Sequence, residues 1–125
     1  KFNLDKIDNL KLIKPLSFSD YIQLQKNSTC VMSDSGTLTE EASLLGFNAI
    51  NLRDVHERPE GDENATTILC GFDKDKISSA IDFFMKLKAY RSKSITDYLV
   101  TDVSQKVSKL IISYSSYVNK RIWKK

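Results

Sequence analysis

The chain has 125 residues, 41% of them hydrophobic and 28% charged, with a formal net charge of +3. Those proportions fit one soluble globular core and exclude a disordered or low-complexity chain. No run approaches the roughly 20 apolar residues of a bilayer span, no signal peptide precedes a cleavage site, and no aromatic residues interleave a basic groove, so the expectation is a cytoplasmic protein that binds neither membrane nor nucleic acid.

The chain opens on "KFNLDKIDNL" with Lys1 and no recognisable start, as a piece of something longer would. "NLKLIKP" is a short apolar-rich run closed by Pro15 and predicts a strand ending at a turn. A helix follows, with Ser17 three residues before Asp20 in a cap-like arrangement and Phe18, Tyr21, Ile22 and Gln25 at helical spacing. "STCVMS" predicts a second strand, "TLTEEASLLG" a helix stopped by Gly46, "NAINL" a third strand, "RDVHERPEGDEN" a polar loop and "TTILC" a fourth strand. "DKDKISSAIDFFMKLKAY" is a long helix capped by Asp73, with Ile77, Ala80, Ile81, Phe84 and Leu87 on one face. A last helix begins after the cap candidate Asp102, and its stripe of Val103, Val107, Leu110, Ile111, Tyr114 and Val118 requires burial. The cationic ending Lys120, Arg121, Lys124 and Lys125 suits a helix C-terminus. Cys30 and Cys70 fall in strand interiors without C-x-x-C spacing or a neighbouring histidine, which predicts buried reduced thiols and no metal site.

Strands alternating with helices define an α/β fold: a parallel Rossmann-like sheet with helices on both faces. Such sheets bind ligands at the carboxyl ends of their strands, where "SDSGT" and "RDVHERPEG" both fall. Thr37 and Glu40 have the T-x-x-E spacing of a capping box, which would stabilise the helix by roughly 1 kcal/mol. Glu41 is left over. Either it complements the helix dipole, or Ser35, Gly36 and Thr37 present donors to a phosphate while Glu41, one turn on, accepts from two sugar hydroxyls. "DSGT" is neither a P-loop nor a G-x-G-x-x-G fingerprint, so both possibilities stand on the residues alone. Arg53 either neutralises phosphate or pairs with Asp54, Glu57 or Glu60. His56, the only histidine, is either an acid–base catalyst or a structural residue of a charged loop. Glu57 and Glu60, flanked by arginines, should stay ionised.

"LIKPLSFSDYIQL", "SDSGTLTEEASLLGF" and "LRDVHERPEG", in this order and spacing, resemble the P-x5-F/Y, D-S-G-G-x-Q-E-E and R-x-x-T-E-R-P-E motifs of the non-hydrolysing UDP-N-acetylglucosamine 2-epimerases. The resemblance covers about Leu12 to Ile81. Thr37 departs from the family's second glycine and His56 from its threonine; with "SYVNKRIWKK" these look like the subgroup that forms UDP-N-acetyl-L-fucosamine for capsule and O-antigen.

The resemblance implies a two-domain GT-B parent with UDP held in the inter-domain cleft. Residues 1–125 would be one partial domain, the later portion of the C-terminal domain, with residues 96–125 crossing back onto the absent N-terminal domain. By the same resemblance Tyr21 lies near uracil, Ser35 and Gly36 meet the diphosphate with Thr37 beside them, and Glu41 holds the ribose hydroxyls. The partners are UDP and a UDP-N-acetyl-hexosamine, the parent is a homodimeric isomerase, and no cofactor is involved. The family eliminates UDP to a glycal and returns it after protonation on the opposite face. Its catalytic carboxylates and histidine would lie upstream of Lys1, which leaves this chain with nucleotide binding and no turnover. The rival function is a non-catalytic nucleotide-binding or interaction module; a GT-B glycosyltransferase would share the ribose-binding glutamate but would not predict "HERPEG".

Overall fold

The computed structural model describes Leu4 and residues 7–87 and 94–125. Its elements are α1 (Phe18–Asn27), β1 (Val31–Ser33), α2 (Leu38–Leu45), β2 (Ala49–Asn51), α3 (Pro59–Glu63), β3 (Thr67–Leu69), α4 (Lys74–Lys86), a 3-10 turn (Thr96–Leu99) and α5 (Val103–Arg121). The three strands run parallel in the order β1-β2-β3. Ser33, Asn51 and Leu69 align at their carboxyl ends, so the segments that follow β1 and β2 leave the sheet on the same edge.

The middle strand is buried along its length, and its alternation divides the core in two. Ala49 joins Leu38, Ala42 and Phe47 in the cluster beneath α2, while Ile50 joins Cys70, Ala80 and Phe84 beneath α4. Helices thus cover both faces, as the strand–helix alternation predicts. The apolar stripe of α4 lies where its spacing puts it, with Ile77, Ile81 and Leu87 packed around that second cluster.

Three helix boundaries follow their sequence signals. Ser17 Oγ accepts the Asp20 N–H and donates to the Asp20 carboxylate. Asp73 Oδ1 accepts the N–H groups of Asp75 and Lys76 at 2.9 and 3.0 Å, and this hydrogen bonding holds its carboxyl below the ordinary range. Gly46 ends α2 in the left-handed region at φ 71°, where a side chain would be strained, with its N–H on Ala42 O.

Other expectations fail for identifiable reasons. No strand forms over "NLKLIKP", because a strand needs a neighbour to pair with and none of the described strands flanks it; Leu10, Leu12 and Ile13 lie exposed. The expected loop "RDVHERPEGDEN" contains α3, which has proline in its first turn followed by Glu60 and Asp62, a helix start that its polar composition obscured. Asp102 does not cap α5; it pairs with Lys106 one turn on at 3.1 Å. The stripe of α5 is unburied, with Leu110, Ile111 and Tyr114 each more than half exposed. Cys70 is buried but Cys30 only partly so; both are free, both lie just outside their strands, and burial raises both thiol pKa values. The helix expected to continue to Tyr90 is observed to Lys86, and residues 88–90 lie outside the described part. Among the described residues no helix is long and apolar enough to cross a membrane, and no cluster of ligating side chains could hold a metal.

Candidate functional site

The turn that follows β1 is organised by hydroxyl groups. Ser35 N–H donates to Ser33 Oγ at 3.0 Å, and Thr37 N–H donates to Ser35 Oγ at 3.3 Å. A carboxylate only accepts, so the Thr37 hydroxyl donates to Glu41 Oε1 at 2.6 Å, which leaves the Ser35 hydroxyl to donate to Thr37 Oγ1 at 3.0 Å. Gln25, buried on α1, donates its amide to the other oxygen of Glu41, also at 2.6 Å. Glu41 is therefore fixed from both sides.

The expected Thr37–Glu40 capping box does not form. Thr37 is already helical, at φ −87° and ψ −2°, and makes no side-chain cap. Its hydroxyl reaches Glu41, one full turn along, rather than a backbone donor. Glu40 instead accepts from Arg58 Nε at 2.7 Å, a pair in which both side chains are partly buried. That hydrogen bond, with the charge of Glu40, holds the Arg58 guanidinium above its ordinary pKa.

Arg53 makes none of the ion pairs weighed for it. Its Nε donates to the Asp34 carbonyl at 2.6 Å, tying the chain after β2 to the turn after β1. A Cβ built on Gly36 would meet only Arg53 Nη1 and Arg58 Nη2, each at 3.9 Å. Gly36 does not adopt positive φ, so what its missing side chain preserves is open space between two guanidinium groups beside the N-terminus of α2. Two cations converging on one gap beside a helix N-terminus suit an anion with several oxygens.

Tyr21 on α1 and Glu41 on α2 line one cavity of about 290 Å³, with Phe18, Ile22, Leu44 and Leu45. Tyr21 is 42% exposed, and its phenol is pushed up by burial and by the nearby Glu41 charge. An apolar cavity with an aromatic wall and a fixed carboxylate at its edge accommodates a flat ring joined to a polyol.

His56 stands apart from this group. Its imidazole is 4% exposed and its Nε2 lies 2.8 Å from Asp62 Oδ1, so Nε2 carries the proton and the ring holds α3 to the preceding loop. Its Nδ1 is buried without a partner among the described residues. Tyr21, Ser35, Gly36, Thr37, Glu41 and Arg53 thus form a connected group that excludes His56. Arg58 faces the same gap and is not among the site residues that the sequence names; the signal that points to it is a second cation in the segment leaving the same strand as Arg53. Glu60 is held below the ordinary carboxylate range, chiefly by the hydroxyl of Tyr98 and only secondarily by Arg58.

A parallel sheet with helices on both faces defines an α/β unit of Rossmann-like type, here with an anion-ready turn beside an aromatic cavity. The family model described as UDP-N-acetylglucosamine 2-epimerase matches residues 2–112, and the chain belongs to that family. A UDP-N-acetylglucosamine 2-epimerase from Methanocaldococcus jannaschii is 37% identical over 92 residues, which are 70% of this chain and 25% of that protein. The structure of UDP-N-acetylglucosamine 2-epimerase from Rickettsia bellii superposes with a TM-score of 0.71 at 37% identity, covering 92% of this chain and 32% of that one. The Methanocaldococcus jannaschii enzyme in complex with UDP-GlcNAc and UDP superposes with a TM-score of 0.67 at 30% identity, covering 89% of this chain and 30% of that one. The chain spans about a quarter of the length of the first curated relative and about a third of the solved chains.

Proposed function

We propose that this chain is the UDP-binding portion of a UDP-N-acetylhexosamine 2-epimerase. The observation that carries the proposal is the gap at Gly36, bounded by Arg53 and Arg58 and lying one helical turn from the doubly fixed Glu41. The diphosphate occupies the gap between the two guanidinium groups at the N-terminus of α2, and Glu41 accepts the ribose hydroxyls on its remaining lone pairs. Uracil lies in the cavity against Tyr21. Cations at the diphosphate also stabilise the charge that develops on UDP as it leaves the sugar, a contribution to elimination that requires no acid or base from this chain.

The proton transfers belong to groups on the rest of a two-domain GT-B parent. Residues 1–125 form the later part of its C-terminal domain, and the unburied stripe of α5 is the surface that crosses back onto the N-terminal domain, a placement supported by the family match and the exposure of that stripe. Thr37, His56 and the closing "SYVNKRIWKK" support the finer assignment to UDP-N-acetyl-L-fucosamine formation in a homodimeric cytoplasmic parent serving surface polysaccharide synthesis. A non-catalytic nucleotide-binding or interaction module is the second possibility, in which the gap at Gly36 and the fixed Glu41 serve binding without turnover.

Calorimetry with UDP tests the site. Glu41→Ala should weaken UDP binding by about tenfold or more, since even one charge-assisted hydrogen bond accounts for that factor. A change of less than about twofold would remove Glu41 from the ribose. Exchange of the proton on the sugar's second carbon in deuterated water separates the two functions: it should appear with the longer parent and not with the 125-residue chain. A parent that binds UDP without exchange would establish the non-catalytic module.

A further inference from the structure

The segment of residues 94–99, ahead of α5, is fastened to α2. Ser94 Oγ donates to the Ser43 carbonyl at 3.0 Å, and Ile95, 3% exposed, donates its N–H to Ser43 Oγ at 2.8 Å. Ser43 lies on α2, one turn beyond Thr39 and Glu40, so these two bonds lay the segment along the helix that begins at the anion gap. The 3-10 turn that follows carries Tyr98, whose hydroxyl donates to Glu60 Oε1 at 2.7 Å. Arg58, two residues before Glu60, donates from Nε to Glu40 at 2.7 Å, so two hydrogen-bonded pairs, Tyr98 with Glu60 and Arg58 with Glu40, meet at the start of α3.

From this arrangement we infer that Tyr98 is a positioning residue for the anion gap: by occupying Glu60, it keeps that carboxylate off Arg58 and leaves the guanidinium free to face Gly36. Glu60 is two residues from Arg58 and negatively charged. In this structure Arg58 satisfies its Nε on Glu40 and directs Nη2 toward the gap, while Glu60 is held by the tyrosine hydroxyl. Without that hydroxyl, Glu60 loses its hydrogen-bond donor, and Arg58 is a nearby cation able to replace it. A bidentate guanidinium–carboxylate pair would then withdraw Arg58 from an incoming anion. Tyr98 also stands directly before α5, so the same contact joins the site to the element with the largest unburied apolar stripe. The inference rests on the diphosphate assignment above.

The experiment compares UDP with uridine, which shares the ring and ribose but has no phosphate. In wild type, UDP should bind more tightly than uridine; equal affinities, or no binding of UDP, would withdraw the diphosphate assignment and this inference with it. Tyr98→Phe should lower UDP affinity by about threefold to tenfold while uridine stays within about twofold, whereas general loosening of the fold would weaken both together. In a Glu60→Gln background, where the competing charge is gone, Tyr98→Phe should leave the UDP-to-uridine ratio within about twofold. The inference is overturned if Tyr98→Phe spares the ratio in wild type, or if it costs the same in both backgrounds. Should Tyr98→Phe fail to fold, Glu60→Gln alone decides: the ratio must hold or rise, and a fall is contrary to the proposed competition.

Discussion

Replacing Gly61 with alanine tests how α3 is seated on α2. Gly61 is the buried residue of α3, and a Cβ built there would lie well inside the 3.0 Å approach that real Cβ atoms keep, against Cγ2 of Thr39. Thr39 is 1% exposed, β-branched and within a helix, so its methyl group has little freedom to turn away. Overpacking of this kind costs about 1–3 kcal/mol, and the depth of the overlap puts Gly61→Ala near the upper figure. Alanine recovers up to about 1 kcal/mol of helix propensity over glycine, leaving a net loss of about 2 kcal/mol. For a chain of this size that lowers Tm by several degrees. Thr39→Ser removes only the obstructing methyl, so on its own it should destabilise by about 1 kcal/mol through the lost buried group. Combined with Gly61→Ala, however, it should relieve most of the overlap. Urea titration followed by circular dichroism measures all four corners of the cycle. Additive losses, or a Gly61→Ala protein within about 0.5 kcal/mol of wild type, would refute the packing.

Gly36→Ala should behave in the opposite way, because its backbone is unstrained and its new Cβ would meet two side chains only at ordinary contact distance. Thermal melting should be almost unchanged while calorimetry shows UDP affinity falling by about tenfold; a large drop in Tm would mean that the glycine serves the fold rather than the ligand. The Asp73 cap gives a pH signature. Its folded-state pKa is lowered from 3.8, so its charged cap stabilises the fold above that unfolded value and loses this contribution as pH falls through the folded one. Urea midpoints for wild type and Asp73→Asn should therefore differ at pH 7 and converge toward pH 3, and a gap of constant size at both pH values would show that ionisation of the cap is irrelevant.

What the sequence made legible was whatever local chemistry decides. Ser17, Asp73 and Gly46 each satisfy backbone groups within a few residues, and α4 buries the face that its spacing marks. "NLKLIKP" failed because strand formation depends on a partner strand elsewhere in the chain, information its own residues do not contain. The six residues named for the nucleotide converge because they leave aligned parallel strands on one edge or line the adjoining helices. Arg58 and its pairing with Glu40 were not legible, since they depend on α3 folding back against α2 across 18 residues of sequence. T-x-x-E spacing offers Glu40 a local partner, and a long-range guanidinium displaced it.

The relay from Ser35 through Thr37 to Glu41 has a thermodynamic consequence. A glycine at position 37 would leave the carboxylate held by Gln25 alone, with more rotamer freedom until a ligand arrived. With threonine, much of that ordering is completed during folding and need not accompany association. Two proteins making identical contacts to the same ligand, one with glycine and one with threonine here, would therefore differ in binding entropy while their bound structures superimposed.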